Sequence, residues 1–526
     1  MSSSSFPRTL GRPDAIRQPY RLLIYVLFGL FGGMIGLAVG VEPMLATPAI
    51  LGVLLLPLAA RKPHLVVLTI ATYTPFEDFI LKWLPAQHAE LLRLAPEAIL
   101  ILLLGLLVLR NVGEGILWRR TPLDLPVLCF LALSAASALV NDVPAVVWIL
   151  GIREFTRYVI LYYVVVNARF TQRFTRTMVM ILLAMALLQA IIGVMQSVLG
   201  VSFTSLFVPR AVSLGGAEIR PGFTQILSRR TRVFGTLGRY GRLGFFLVIF
   251  LLIAGGFYLS LRSRLGLRSK LGLLFFVALS CSALALSYSR TSWFALYIGI
   301  MALLLFSGRI KALLVAGLLP VMATLVLVSL MQLDSWTVAR SEEANLTERY
   351  VATFSAGYLD ALMEHGRIFI LTEVSPVLLR DYPWLGLGPG TIGSIATGAG
   401  TSSAGFMPDY SHEDQLDITD PAIQRLHDVG WVAILAQVGL LGLLAYIWIL
   451  AQLGIVAFYC LKKSNDQFDR GFALGYLALL AAVVLGNFAM FVLSFRAISM
   501  YIWLFGGLLT TCYQRAHGIS LTGTQV

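Results

Sequence analysis

Two kinds of side chain in this sequence have the chemistry for group transfer, and both lie beside apolar stretches. His427 sits in Arg425-Leu-His-Asp428, and an apolar run begins at Gly430-Trp431. A histidine at a water-facing mouth can take a proton from an attacking hydroxyl near neutral pH. The second kind is arginine. Between Gly200 and Arg242 the chain carries Arg210, Arg220, Arg229, Arg230, Arg232, Arg239 and Arg242 against one acid, Glu218. The planar guanidinium fork suits phosphate oxygens, and a cluster of forks can stabilise a diphosphate as it leaves. Arg290 stands apart, in Ser287-Tyr-Ser-Arg-Thr-Ser-Trp293.

Each group also has a plainer use. The loop arginines can bind anionic lipid headgroups, or pair with the acids of residues 332–430. His427 can cap the helix that follows it or pair with Asp428, and Arg290 can anchor a tight turn at the headgroups. Arg153 and Arg157 are four apart and share a helix face, where Glu154 can supply a local ion pair. His412, between Ser411 and Glu413, reads as a solvated loop residue.

Other chemistries have no sequence support. There is no G-x-x-x-x-G-K-[ST] and no H-E-x-x-H, so nothing calls for ATP-driven work, a metal or a cofactor. Gly386-Leu-Gly-Pro-Gly390 reads as a turn on the outer side and not a dinucleotide site, because no strand precedes it and no βαβ unit surrounds it. Cys129, Cys281, Cys460 and Cys512 have no metal-type spacing and read as packing residues.

The elements that hold these groups are apolar. Of 526 residues, 58% are hydrophobic and 13% charged, and the mean hydropathy is +0.82. This composition indicates an all-α polytopic membrane protein, with about 12–14 transmembrane helices. The boundaries divide the chain into N-terminal spans (1–199), a basic loop (200–242), central spans (243–331), a large loop (332–430) and C-terminal spans (431–526). The run Leu22–Val41 reads as a retained first span. With the N-terminus in the cytoplasm, basic residues fall on every inside segment, from Arg61-Lys62 to Arg515, and both loops fall outside. The formal charge of +13 therefore points to membrane orientation and an anionic substrate, not to nucleic acid. A basic outer loop and a mouth histidine together suit glycosyl transfer from a lipid-linked sugar diphosphate.

Four passages resemble the O-antigen ligase and O-antigen polymerase superfamily, with topology matching on either side. Thr231-Arg-Val-Phe-Gly-Thr-Leu237 is similar to that family's arginine-x-x-Gly-Thr segment, and Ser287–Trp293 to its Ser-x-Ser-Arg turn. Gly366-Arg-Ile with Arg380–Gly390 resembles its Leu-Gly-x-Gly passage, and Leu426–Gly442 its His-Asn and Gly-Leu-x-Gly close. Asp428 departs from the usual asparagine, which bears on the acceptor.

The resemblance implies a GT-C-like, metal-independent glycosyltransferase of the inner membrane, active at its periplasmic face. It implies an undecaprenyl-diphosphate-linked glycan as donor and a glycan or lipid A-core acceptor, in a setting of membrane lipids and other polysaccharide assembly proteins. O-antigen, exopolysaccharide and capsule are the products in view. The family's catalytic histidine falls on His427 and its key arginines on Arg232 and Arg290; Arg239 and Arg242 are added from charge alone. Two other classes remain open at the level of sequence: a transporter or flippase of lipid-linked sugars, and a non-catalytic scaffold in polysaccharide export.

Overall fold

The computed structural model describes residues 61–516, apart from 85, 114–118, 169, 209–211, 215–216, 220–231, 332–345, 365 and 392–425. The expected first two spans, the loop arginines Arg210, Arg220, Arg229 and Arg230, and His365 and His412 lie outside the described residues.

The long helices are α1 (Pro63–Tyr73), α2 (Ala86–Gly113), α3 (Asp124–Val140), α4 (Ala145–Thr156), α5 (Val159–Asn167) and α6 (Gln172–Thr204). They continue with α7 (Tyr240–Leu261), α8 (Leu267–Leu286), α9 (Arg290–Phe306), α10 (Ile310–Met331), α11 (Gly430–Lys463), α12 (Gln467–Gly486) and α13 (Arg496–Ala516). Six stretches among the described residues are long and apolar enough to cross a membrane: 92–111, 172–207, 240–261, 267–286, 430–463 and 467–486. The protein is an all-α polytopic membrane protein. Its only described strands, Val212–Leu214 and Ala217–Ile219, pair antiparallel in the loop after α6, with Ser213 opposite Glu218.

Helix α7 is the centre of the bundle. Its residues from Leu243 to Ala254 are buried, so it reads as apolar all round, as a fully surrounded helix should. It packs against α12 through small residues. A Cβ on Gly256 would lie 2.3 Å from the Gly471 carbonyl oxygen and 2.5 Å from the Gly475 nitrogen. Such close backbone approach provides the van der Waals contact that holds helices together where water supplies no hydrophobic drive. Helix α13 closes the core with Tyr501, Trp503 and Phe505, all fully buried.

The bundle has two distinct ends. At one, Asp466 is bonded to Gln172 and Arg176, Arg515 reaches Asp469 at 3.6 Å, and Arg119 approaches Gln514. The other gathers the starts of α7, α9, α11 and α13.

The Gly386–Gly390 passage, expected as a turn, is one, and it lies buried in a break of α11. Gly439 takes φ +66°, ψ −172°, and interrupts that helix. The interruption frees two carbonyls and two amides, and residues 383–390 satisfy them. Leu387 and Gly388 donate to the carbonyls of Ala436 and Gln437 at 2.8 and 3.1 Å. Leu440 and Leu441 donate to those of Pro383 and Trp384 at 2.9 and 3.3 Å. Irregular backbone in a membrane protein survives where protein groups complete its hydrogen bonds. The sequence gives no hint of this insertion, because its partners lie 49 to 57 residues apart and on either side of residues 392–425.

Candidate active site

The Arg232 segment is held by two buried glutamines of α6. The Gln196 Oε1 accepts from the N–H groups of Phe234 and Gly235 at 3.0 and 2.9 Å, and its Nε2 donates to the Gly235 carbonyl at 2.9 Å. Gln189, two turns earlier, accepts from the Thr236 N–H at 3.1 Å and donates to the Thr236 hydroxyl at 2.7 Å. That hydroxyl in turn donates to the Pro75 carbonyl at 2.6 Å. Gly235 has φ +59°, and a Cβ there would meet the Gln189 Oε1 at 2.6 Å. The glycine and threonine of the motif thus follow from the clamp. The clamped segment presents Arg232, whose guanidinium lies 4.5 Å from the centre of the Tyr240 ring.

Arg290 opens α9 from a turn that satisfies itself. Ser287 donates to the Leu284 carbonyl at 2.6 Å, Ser289 and Ser292 bond each other at 2.7 Å, and the Trp293 indole donates to the same Leu284 carbonyl at 3.0 Å. The Arg290 guanidinium lies 4.6 Å from the centre of the Tyr358 ring, on the helix Ala356–Glu364. One contact joins this turn to the Arg232 segment, and another joins it to α7. Val233 donates to the Leu286 carbonyl at 3.3 Å, and the absence of a side chain on Gly244 of α7 lets Ser289 and Ser292 approach. Arg232 and Arg290 therefore belong to one packed unit beside the start of α7.

Arg239 and Arg242 sit at that start. Arg239 is extended (φ −146°, ψ 136°), and its carbonyl accepts from the N–H groups of Arg242 and Leu243, both at 3.1 Å. Arg242 pairs with Asp78 at 2.8 Å. Two residues along a helix is a turn of about 200°, so Arg242 and Tyr240 leave α7 on opposite sides. Arg242 faces a cavity of about 420 Å³ that it lines with Asp78, Arg153 and Arg496; Arg232, Arg239 and Arg290 are not among the lining residues.

Arg153 and Arg157, for which the sequence left open a local pair with Glu154 or a more distant partner, both pair with Glu97 of α2. Arg153 Nη2 donates to Glu97 at 2.9 Å, and Arg157 lies 3.4 Å away. Arg496 completes the group, at 2.9 Å from Glu77 and 3.1 Å from Glu97.

His427 lies in the 3₁₀ turn Leu426–Asp428, directly before α11; its side chain is outside the described residues. The turn is pinned on both flanks. Leu426 and Val429 are buried with Ile370, Leu378 and Leu387, and the Gly430 N–H donates to the Asn487 carbonyl at 2.8 Å. Asn487 is fully buried against Gly430, and its side-chain amide has no hydrogen-bond partner among the described residues. Asp428 is exposed.

The sequence reading missed Gln189, Gln196, Glu77, Glu97 and Asn487. Polar residues inside apolar runs were the available signal, since each is costly unless partnered.

Residues 274–447 match a family model described as O-antigen ligase. The match runs from α8 into α11 and takes in the Arg290 turn, the inserted Leu385–Gly390 passage and His427. No curated protein matches the chain.

Proposed function

We propose, from the premise that this chain is a member of the O-antigen ligase and polymerase superfamily, that it transfers or polymerises an undecaprenyl-diphosphate-linked glycan at the periplasmic face of the inner membrane. The observation that carries the reading is the joining of the Arg232 segment to the Arg290 turn at the start of α7. The starts of α7, α9 and α11 all lie at this end of the bundle. Helix N-termini favour negative charge, which adds to the two guanidinium groups.

In this mechanism Arg232 and Arg290 hold the donor's diphosphate, and Arg239 and Arg242 add positive potential. His427 accepts the proton of an acceptor hydroxyl. The hydroxyl oxygen bonds to the anomeric carbon, the bond from that carbon to the diphosphate breaks, and undecaprenyl diphosphate leaves with its charge stabilised by the arginines. The acceptor is another lipid-linked glycan or the lipid A core. In this orientation the opposite end of the bundle, with Arg119, Arg176 and Arg515, faces the cytoplasm.

The test is transfer by the purified protein from a lipid-linked glycan. Arg232→Ala and Arg290→Ala should each abolish transfer while protein level is kept, and Lys should rescue only in part, because it lacks the fork. Full activity of both Ala variants would return these arginines to the role of headgroup anchors.

A further inference from the structure

We infer that the cavity on the far side of α7 from Tyr240 is a second anion site, built for the phosphate of a membrane amphiphile. It holds about 420 Å³ between the Glu77–Leu81 helix and the starts of α2, α7 and α13, with one wall from α4. The site is separate from the proposed diphosphate grip of Arg232 and Arg290, neither of which lines it, while Arg242 is common to both.

Charge is the first argument. Five arginines line the cavity: Arg93, Arg153, Arg157, Arg242 and Arg496. Their ion pairs converge on three carboxylates. Arg93 and Arg242 share Asp78, while Arg153, Arg157 and Arg496 share Glu97, with Glu77 also on Arg496. Glu154 also lines the cavity. Counting it, the group carries five positive charges against four negative, so a monoanion would neutralise it.

Unmet hydrogen bonding is the second. The Nε of Arg242 is buried with no acceptor among the described residues, and the Nε of Arg157 has only the Glu97 carboxylate, at 3.4 Å and outside hydrogen-bond geometry. The Arg157 side chain is only 5% exposed. A buried guanidinium N–H without a well-placed acceptor is costly, so these two on one cavity call for an oxyanion. Guanidinium forks match phosphate oxygens in particular.

The third argument is the rest of the lining. Leu94, Leu150, Leu237, Phe495 and Ala497 are apolar, and Leu94 is 44% exposed. Guanidinium and hydrocarbon side chains each supply five of the fifteen lining residues, beside three carboxylates, and that pairing suits a phosphate carried on an apolar chain better than a fully hydrated ion.

The test uses the full chain in nanodiscs of phosphatidylcholine with a minor share of phosphatidylglycerol, read by native mass spectrometry. Wild type should retain phosphatidylglycerol over phosphatidylcholine. Arg157→Gln and Arg242→Gln should each weaken retention by about tenfold or more, the loss expected for one charge-assisted hydrogen bond. Asp78→Asn frees Arg93 and Arg242, and should keep or tighten retention. This variant separates the proposal from a purely structural ion-pair network, in which removing any member only destabilises. It also keeps the test decisive should Arg157→Gln fail to fold. Inorganic phosphate supplies the arm that distinguishes sources: failure to displace the lipid at millimolar concentration is the result expected for a lipid phosphate. Displacement would give the anion site to a soluble phosphate and overturn the amphiphile assignment. Equal retention of both lipids, or retention unchanged in Arg242→Gln and lowered by Asp78→Asn, would overturn the site itself.

Discussion

Replacing Gln196 by Leu should disconnect the Arg232 segment without unfolding the bundle. Leucine keeps most of the volume inside α6, so the apolar contacts of that helix survive. What it removes is three hydrogen bonds: two from the N–H groups of Phe234 and Gly235, and one to the Gly235 carbonyl. Those backbone groups are buried, and Phe234 is fully so. At about 1–2 kcal/mol for each orphaned group, the change costs about 3–6 kcal/mol locally. The segment has few ways to recover this other than by moving toward water, which takes Arg232 with it. Hydrogen exchange over residues 232–237 should accelerate, while the amides of α7 and α12 stay protected. Glycan transfer should fall as far as in Arg232→Ala. Native-like exchange and full transfer in Gln196→Leu would refute the claim that this glutamine positions the arginine.

Two further outcomes follow, one from the break in α11 and one from the charge pattern of the sequence. Gly439→Ala places a Cβ 2.3 Å from the Trp384 carbonyl oxygen at a positive φ, so it should lower the thermal midpoint and the yield, by a destabilisation of about 2 kcal/mol or more. Ser403→Cys should be labelled from the periplasm in intact inner membranes; labelling only after those membranes are broken would reverse the proposed orientation.

The spans were legible because hydropathy is a local property. The apolar runs 123–140, 243–261 and 293–306 coincide within a few residues with α3, α7 and α9, since a lipid-facing or fully buried helix must be apolar along its length. The candidate site was legible only in part. Arg232 and Arg290 stood out through motif resemblance, and the structure explains those motifs: the glycine and threonine after Arg232 fit the glutamine clamp, and the serines before Arg290 close its turn. The clamp itself was hidden, because Gln189 and Gln196 look like isolated polar residues in an apolar helix. So was the pairing of Arg153 and Arg157 with Glu97, 56 and 60 residues away. Sequence shows that a buried charge needs a partner, but it does not say which distant residue supplies one. The insertion of residues 383–390 into α11 was lost for the same reason. Gly439 is one glycine among many until the loop that fills its break is in view.

The most direct measurement of the central claim compares wild type with His427→Ala on a defined undecaprenyl-diphosphate-linked glycan, following both donor binding and release of undecaprenyl diphosphate. The account predicts that wild type releases undecaprenyl diphosphate as the glycan joins its acceptor. His427→Ala should bind the donor as well as wild type and release none. Normal release by His427→Ala would contradict the assignment of His427 as the base, and no release by wild type with any glycan acceptor would contradict glycosyl transfer itself.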